Sequence, residues 1–95
     1  MKLVIAVFDS GVLPDFMAVL EELGLRRWTR WSDAHGAGER NTREGTPIWP
    51  GLNEVMLLVL PPEQVQPLVD RCHEVRRSFP LEPGMKFIVT DCEIL

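Results

Sequence analysis

Two stretches of this chain are apolar at every position: Leu3-Val4-Ile5-Ala6-Val7-Phe8 and Val55-Met56-Leu57-Leu58-Val59-Leu60. Both are short and rich in aliphatic and β-branched residues, which suits strands. A strand with one wet face alternates apolar and polar side chains. A strand apolar on both parities has to be covered above and below. Any fold for this chain therefore needs two central strands with protein on each face.

The rest of the pattern says what supplies that cover. After the first run, Asp9-Ser10-Gly11 is a turn with two residues able to cap a helix. Phe16, Val19, Leu20 and Leu23 then fall at i, i+3, i+4 and i+7, one stripe of an amphipathic helix that leaves Glu21 and Glu22 off it. Gly24 ends that helix. Arg26 to Asp33, with Trp28, Thr29 and Trp31, reads as a strand. The two tryptophans have opposite parity, so it is an edge or twisted strand. After the second run, Pro61-Pro62 stops the strand and opens a helix. Val65, Leu68, Val69, Cys72, Val75 and Phe79 keep helical spacing, and Pro67 is expected to kink this helix or delay its first turn. Pro80 to Gly84 is a loop, Met85 to Thr90 a last strand, and Asp91 to Leu95 a tail.

The order strand, helix, strand, long loop, strand, helix, strand makes two β-α-β halves. The expected fold class is α+β, a ferredoxin-like βαββαβ two-layer sandwich with an antiparallel sheet, and residues 1–95 form a single domain. That topology places the first and third strands in the centre, and these are the two apolar runs. Both helices pack on one face. The other face presents one parity of 3–8 and one of 55–60 to water, a patch unlike a stable monomer surface. Sheets from several copies are therefore expected to pack together, and a chain of 95 residues gains from such association.

Charge and cysteine content narrow the function. The net charge of −4 speaks against a nucleic-acid-binding module and against a polybasic membrane-surface protein. The two cysteines, Cys72 and Cys92, have no CxxC spacing and are too few for a disulfide framework. No targeting run or membrane-length apolar segment is visible, so the expected location is cytoplasmic and not membrane-embedded.

Candidate chemistry concentrates in loops. Ala34 to Ile48 carries no hydrophobic period, and loops of that length are functional or disordered. Within it, His35-Gly36-Ala37-Gly38-Glu39-Arg40 is glycine-rich, which suits either a phosphate cradle or a pliant loop base. It is neither a Walker loop nor a full GxGxxG. Pro83-Gly84-Met85-Lys86 leads a lysine into a strand, either on a phosphate or simply solvated. Asp33 with His35, Cys72 with His73, and Cys92 lack zinc-site spacing, so no metal site is assigned; Cys72 lies on an apolar stripe and reads as core. Ser10, Ser32 and Ser78 have no nucleophile-elbow context, and no catalytic residue or enzyme activity is expected. Trp28, Trp31 and Trp49 read as packing at strand ends.

Several of these segments occur together in one family. Glu21-Glu22-Leu23-Gly24-Leu25, then Trp28-Thr29, then Gly36-Ala37-Gly38 before a long polar loop resembles the first half of the nitrogen regulatory P-II proteins. Val55 to Leu60, a helix, and Gly84-Met85-Lys86-Phe87-Ile88-Val89 continue the likeness in order, over nearly the whole chain. The resemblance is to a PII-like protein in the superfamily that includes CutA. It implies a homotrimer, with small-molecule sites in the clefts between subunits. No cofactor is implied as required, but ATP, ADP or AMP is implied as effector. The 34–48 segment would be a T-loop reaching a partner protein, a membrane transporter or an enzyme. Nucleotide contacts would fall on Thr29, on Gly36, Gly38 and Arg40 at the loop base, and on Gly84 and Lys86. The CutA side of the superfamily implies the alternative, a divalent-metal-binding or metal-response protein using Asp33, His35, Glu39 and the Cys92 tail. The chain departs from the P-II pattern at Glu39-Arg40, has no tyrosine to modify, and ends at Leu95 before the family's basic C-terminal segment. These departures weaken the case for standard ATP/ADP and 2-oxoglutarate sensing.

Overall fold

The computed structural model describes residues 1–37, 42–43 and 52–95. Strand β1 (Lys2–Asp9) runs into a single 3-10 turn at Ser10–Val12 and helix α1 (Leu13–Glu22). Strand β2 (Trp28–Ala34) follows, then the two-residue strands β3 (Gly36–Ala37) and β4 (Thr42–Arg43). Strand β5 (Asn53–Leu60), helix α2 (Pro62–Arg77) and strand β6 (Met85–Asp91) complete the chain. The main sheet has the order β2-β5-β1-β6, with every neighbouring pair antiparallel. This is the ferredoxin-like α+β sandwich, and the two all-apolar runs occupy its centre.

The two parities of these central strands part company. Val4, Ala6 and Phe8 of β1 and Met56, Leu58 and Leu60 of β5 are buried. They pack with Phe16, Val19 and Leu20 of α1 and Leu68 and Cys72 of α2. The Phe8 and Phe16 rings stack with centroids 4.3 Å apart. Each large side chain fully buried in this layer contributes about 1.5–3 kcal/mol of transfer free energy. The opposite parity, Leu3, Ile5, Val7, Val55, Leu57 and Val59, is only half-buried. Ile88 of β6 pairs with Ile5 on that face and is 48% exposed. The helices thus cover one face, and the other is an open apolar surface.

Element ends follow local chemistry. Gly24 takes φ +69° past the end of α1. There the Leu25 N–H donates to the Leu20 carbonyl at 2.8 Å and the Gly24 N–H to the Glu21 carbonyl at 3.1 Å. This paired closure needs a left-handed residue, which glycine supplies without steric cost. Helix α2 starts directly at Pro62, with Pro61 as its cap. Pro67 does not delay it. The N–H that Pro67 lacks would have reached the carbonyl of Glu63, in a water-exposed first turn, so its loss is inexpensive.

Three further expectations are corrected. Residues 34–48 are not wholly without secondary structure, because β3 pairs with β4 (Gly36 opposite Arg43, Ala37 opposite Thr42). A backbone ladder needs no apolar period, so a periodicity reading cannot see it. The second strand is the edge strand expected, but its tryptophans do not pack at its ends. Trp28 is 38% and Trp31 53% exposed: at the sheet edge Trp28 stands opposite Leu58 on the helix side, Trp31 stands opposite Val55 on the open face, and only Ala34 in β2 is even half-buried. Arg30 lies over the Trp28 ring at 5.9 Å. Trp49 lies outside the described residues. Finally, Asp91 belongs to β6 rather than to the tail; it pairs with Lys2 in the ladder and through its carboxylate.

Candidate functional site

The strand directions place every candidate loop at one end of the sheet. β1 and β2 end where β5 and β6 begin, so Asp9-Ser10-Gly11, Ala34 to Ala37, Leu52-Asn53 and Pro83-Gly84 are gathered there. Backbone bonds tie them. The Ser10 N–H and hydroxyl both donate to the Leu52 carbonyl, at 2.9 Å and 2.7 Å. The Asp9 N–H donates to the Gly84 carbonyl at 3.1 Å. Gly36 lies so close to Asn53 that a Cβ would stand 3.1 Å from its Nδ2. The two legs of the long loop are thus fastened to each other and to the β1–α1 turn.

A buried carboxylate strengthens this fastening. Glu54 is 4% exposed, on the core parity of β5 with Met56, Leu58 and Leu60. Its Oε2 accepts the Ser32 hydroxyl at 2.8 Å, and the Arg30 Nε stands 3.9 Å away. Ser32 lies in an irregular stretch of β2, where the register shifts between Trp31 and Ala34 and Asp33 adopts φ +59°. The Glu54 side chain therefore bridges β5 to the bulge that leads into the loop. Sequence reasoning missed it, although its parity with three core residues was available as a signal.

The predicted ligand residues divide between the two edges of the sheet. Thr29 is exposed on the open face of β2 opposite Leu57, and Gly36 follows on the same edge. Lys86 is exposed on the open face of β6 opposite Val7, and Gly84 precedes it. Gly38 and Arg40 lie outside the described residues. With three inter-strand steps between β2 and β6, the two halves stand about 14 Å apart in the order β2-β5-β1-β6. A single chain does not bring them together.

The described metal and thiol candidates are likewise dispersed, and Glu39 lies outside the described residues. Among the described residues no three His, Cys, Asp or Glu side chains converge on one point. His35 is exposed, and His73 packs edge-on to Phe87 at 5.8 Å. Cys72 is in the core, where burial pushes its thiol up to about 12 and leaves it an unreactive neutral group. No helix among the described residues is long and apolar enough to cross a membrane.

Comparison with known proteins places the architecture. No protein-family model matches the sequence, and no curated protein does. Solved structures do match. CPII of Thiomonas intermedia K12, bound to ADP and bicarbonate, superposes with TM-score 0.71 at 15% identity, covering 94% of this chain and 84% of that one. CPII bound to ADP, AMP and acetate gives TM-score 0.70 at 13% identity over 98% and 88%. The chain has the PII-like fold. A candidate PII-like signaling protein from Thermus thermophilus agrees, with TM-score 0.66 at 21% identity over 94% of this chain and 83% of that one. At these identities the likeness is one of fold, and it matches the architecture that the residue pattern implied.

Proposed function

We propose that the protein is a trimeric PII-like regulator that binds an adenine nucleotide between subunits. The observation that carries this reading is the division of the candidate site. Its two halves, Thr29 with Gly36 and Gly84 with Lys86, lie at opposite edges of one sheet, with an open apolar face between them. A cyclic assembly through that face brings the β2 edge of one copy to the β6 edge of the next and completes the site. Structural neighbours described as bound to ADP or AMP support the ligand class.

In this reading Lys86 pairs with phosphate as a point charge, Gly36 and Gly84 allow close backbone approach, and Thr29 supplies a hydroxyl. Gly38 and Arg40 add contacts from the loop base. The 34–48 segment carries the signal. Nucleotide bound at its root favours one loop state, and that state engages or releases a protein partner, a transporter or an enzyme, in the cytoplasm. Native mass spectrometry with ATP, ADP, AMP and divalent metals in turn tests the proposal. A threefold mass that gains up to three nucleotides, with the gain weakened in Lys86→Ala and Arg40→Ala, is expected. A monomer, or binding unchanged in both variants, refutes it.

A further inference from the structure

The turn before β6 contains a glycine that the chain itself does not explain. Gly24 needs its left-handed φ, and Gly36 needs its closeness to Asn53. Gly84 has an ordinary φ, and a Cβ built on it meets nothing within 4 Å. It is exposed, and its N–H has no acceptor among the described residues. An unused backbone donor, on an exposed residue with no internal reason to lack a side chain, is what close approach by an outside group requires.

The orientation of that donor is fixed from behind. Arg76, in the last turn of α2, donates its Nε to the Pro83 carbonyl at 2.7 Å, and its Nη1 stands 3.6 Å from the Glu82 carboxylate. The Pro83–Gly84 peptide is trans, so its C=O and N–H point in opposite directions. Holding the carbonyl against Arg76 therefore turns the Gly84 N–H away from α2. On the other side the Asp9 N–H holds the Gly84 carbonyl. The two peptide groups flanking Gly84 are thus both pinned through their carbonyls. Lys86, two residues on, has no hydrogen bond or ion pair among the described residues.

We infer that Arg76 is a positioning residue: through the Pro83 carbonyl it aims the Gly84 N–H, beside the Lys86 ammonium, at a phosphate group of the ligand. The inference rests on the nucleotide reading above and adds to it the residue that orients the donor. Arg76 itself touches no ligand, since its guanidinium is spent on Pro83 and Glu82. Its contribution is preorganisation, because a peptide plane already fixed loses no freedom when the anion arrives.

The test is titration of the full chain, wild type and Arg76→Ala, with ADP and separately with inorganic pyrophosphate. The Gly84 amide resonance is followed in 15N-glycine-labelled protein. The wild type is expected to bind both, with the Gly84 amide shifting on each addition. R76A should lose about tenfold in affinity for both probes, the loss of one oriented donor to a charged group. Its Gly84 amide should be displaced before any ligand is added, a readout that a merely structural role would not couple to phosphate affinity. If R76A does not fold, Arg76→Lys carries the test. Its ammonium reaches a carbonyl without fixing the plane, so affinity should fall at least about threefold. Binding within twofold of wild type in the folded variant, or ADP binding that leaves the Gly84 amide unmoved, overturns the role of Arg76 and leaves the nucleotide reading standing. Failure of the wild type to bind either probe overturns both.

Discussion

Removing the Ser32 hydroxyl should destabilise the protein more than removing the carboxylate it serves. Ser32 donates to Glu54 Oε2 at 2.8 Å, whereas Arg30 Nε at 3.9 Å is too far for a hydrogen bond. Glu54 is 4% exposed, so Ser32→Ala leaves a buried carboxylate oxygen without its near donor. Such a group costs about 1–3 kcal/mol when its partner is deleted. Ser32 is itself exposed, so water can partly substitute, and about 1–2 kcal/mol is the expected loss. For a domain of this size that lowers the thermal midpoint by about 4–15 °C. Glu54→Met removes the charge together with its need for a donor, and should stay within about 1 kcal/mol of wild type. In that background Ser32→Ala should then cost less than about 0.5 kcal/mol. Urea and thermal unfolding of the four proteins, at one protein concentration because association shifts apparent stability, closes the cycle. Equal costs of Ser32→Ala in both backgrounds would show that the serine acts on something other than Glu54.

Other consequences are smaller in scope. Gly24→Ala forces a side chain into φ +69° and should cost about 1–2 kcal/mol by denaturant unfolding, with no change in ligand affinity. Cys92 is half-exposed and Cys72 is 1% exposed, so a thiol reagent should label one cysteine natively and the second only on unfolding. The unfolded chain ionises Cys72 at ordinary thiol pH, but burial holds the folded thiol up to about 12. Raising the pH above about 9 therefore favours the unfolded state, by up to about 1.4 kcal/mol per pH unit, and Cys72→Ala should flatten that alkaline decline. Ile5→Asp puts a charge in the middle of the open face, on the parity that does not touch the helices. It should reduce the native mass to that of one chain while circular dichroism still reports a folded protein.

The framework of the fold was legible because a few residues force it. Apolar runs on both parities demand central strands, and Gly24 and Pro61-Pro62 favour element ends. The Phe16-Val19-Leu20 stripe names the buried face of its helix. What was missed shares a different physical origin. The β3–β4 ladder is made by backbone groups that every sequence carries. The exposure of Trp28 and Trp31 depends on the edge position of β2 and, for Trp31, on which face lacks helices, tertiary quantities that propensity does not encode. The Ser32–Glu54 and Arg76–Pro83 contacts join residues brought together by a bulge and a loop, and neither has a spacing rule. Gly36, Gly84, Lys86 and Thr29 could be picked out as residue types by resemblance, but their assignment to opposite edges follows only from the strand order.

That division has a thermodynamic consequence for the proposed assembly. If each half-site belongs to a different subunit, a lone chain offers a nucleotide only half of its contacts. Ligand affinity and association are then linked, since anything that binds the assembled form in preference to the separate chain must stabilise assembly by the same free energy. The apolar face between the edges supplies association without ligand, while Lys86 on one edge, without an ion pair among the described residues, gains a charge partner when a phosphate arrives. Nucleotide should therefore lower the protein concentration at which the trimer dissociates. Lys86→Ala should weaken that dependence while leaving ligand-free association unchanged, which separates the role of the open face from that of the edges.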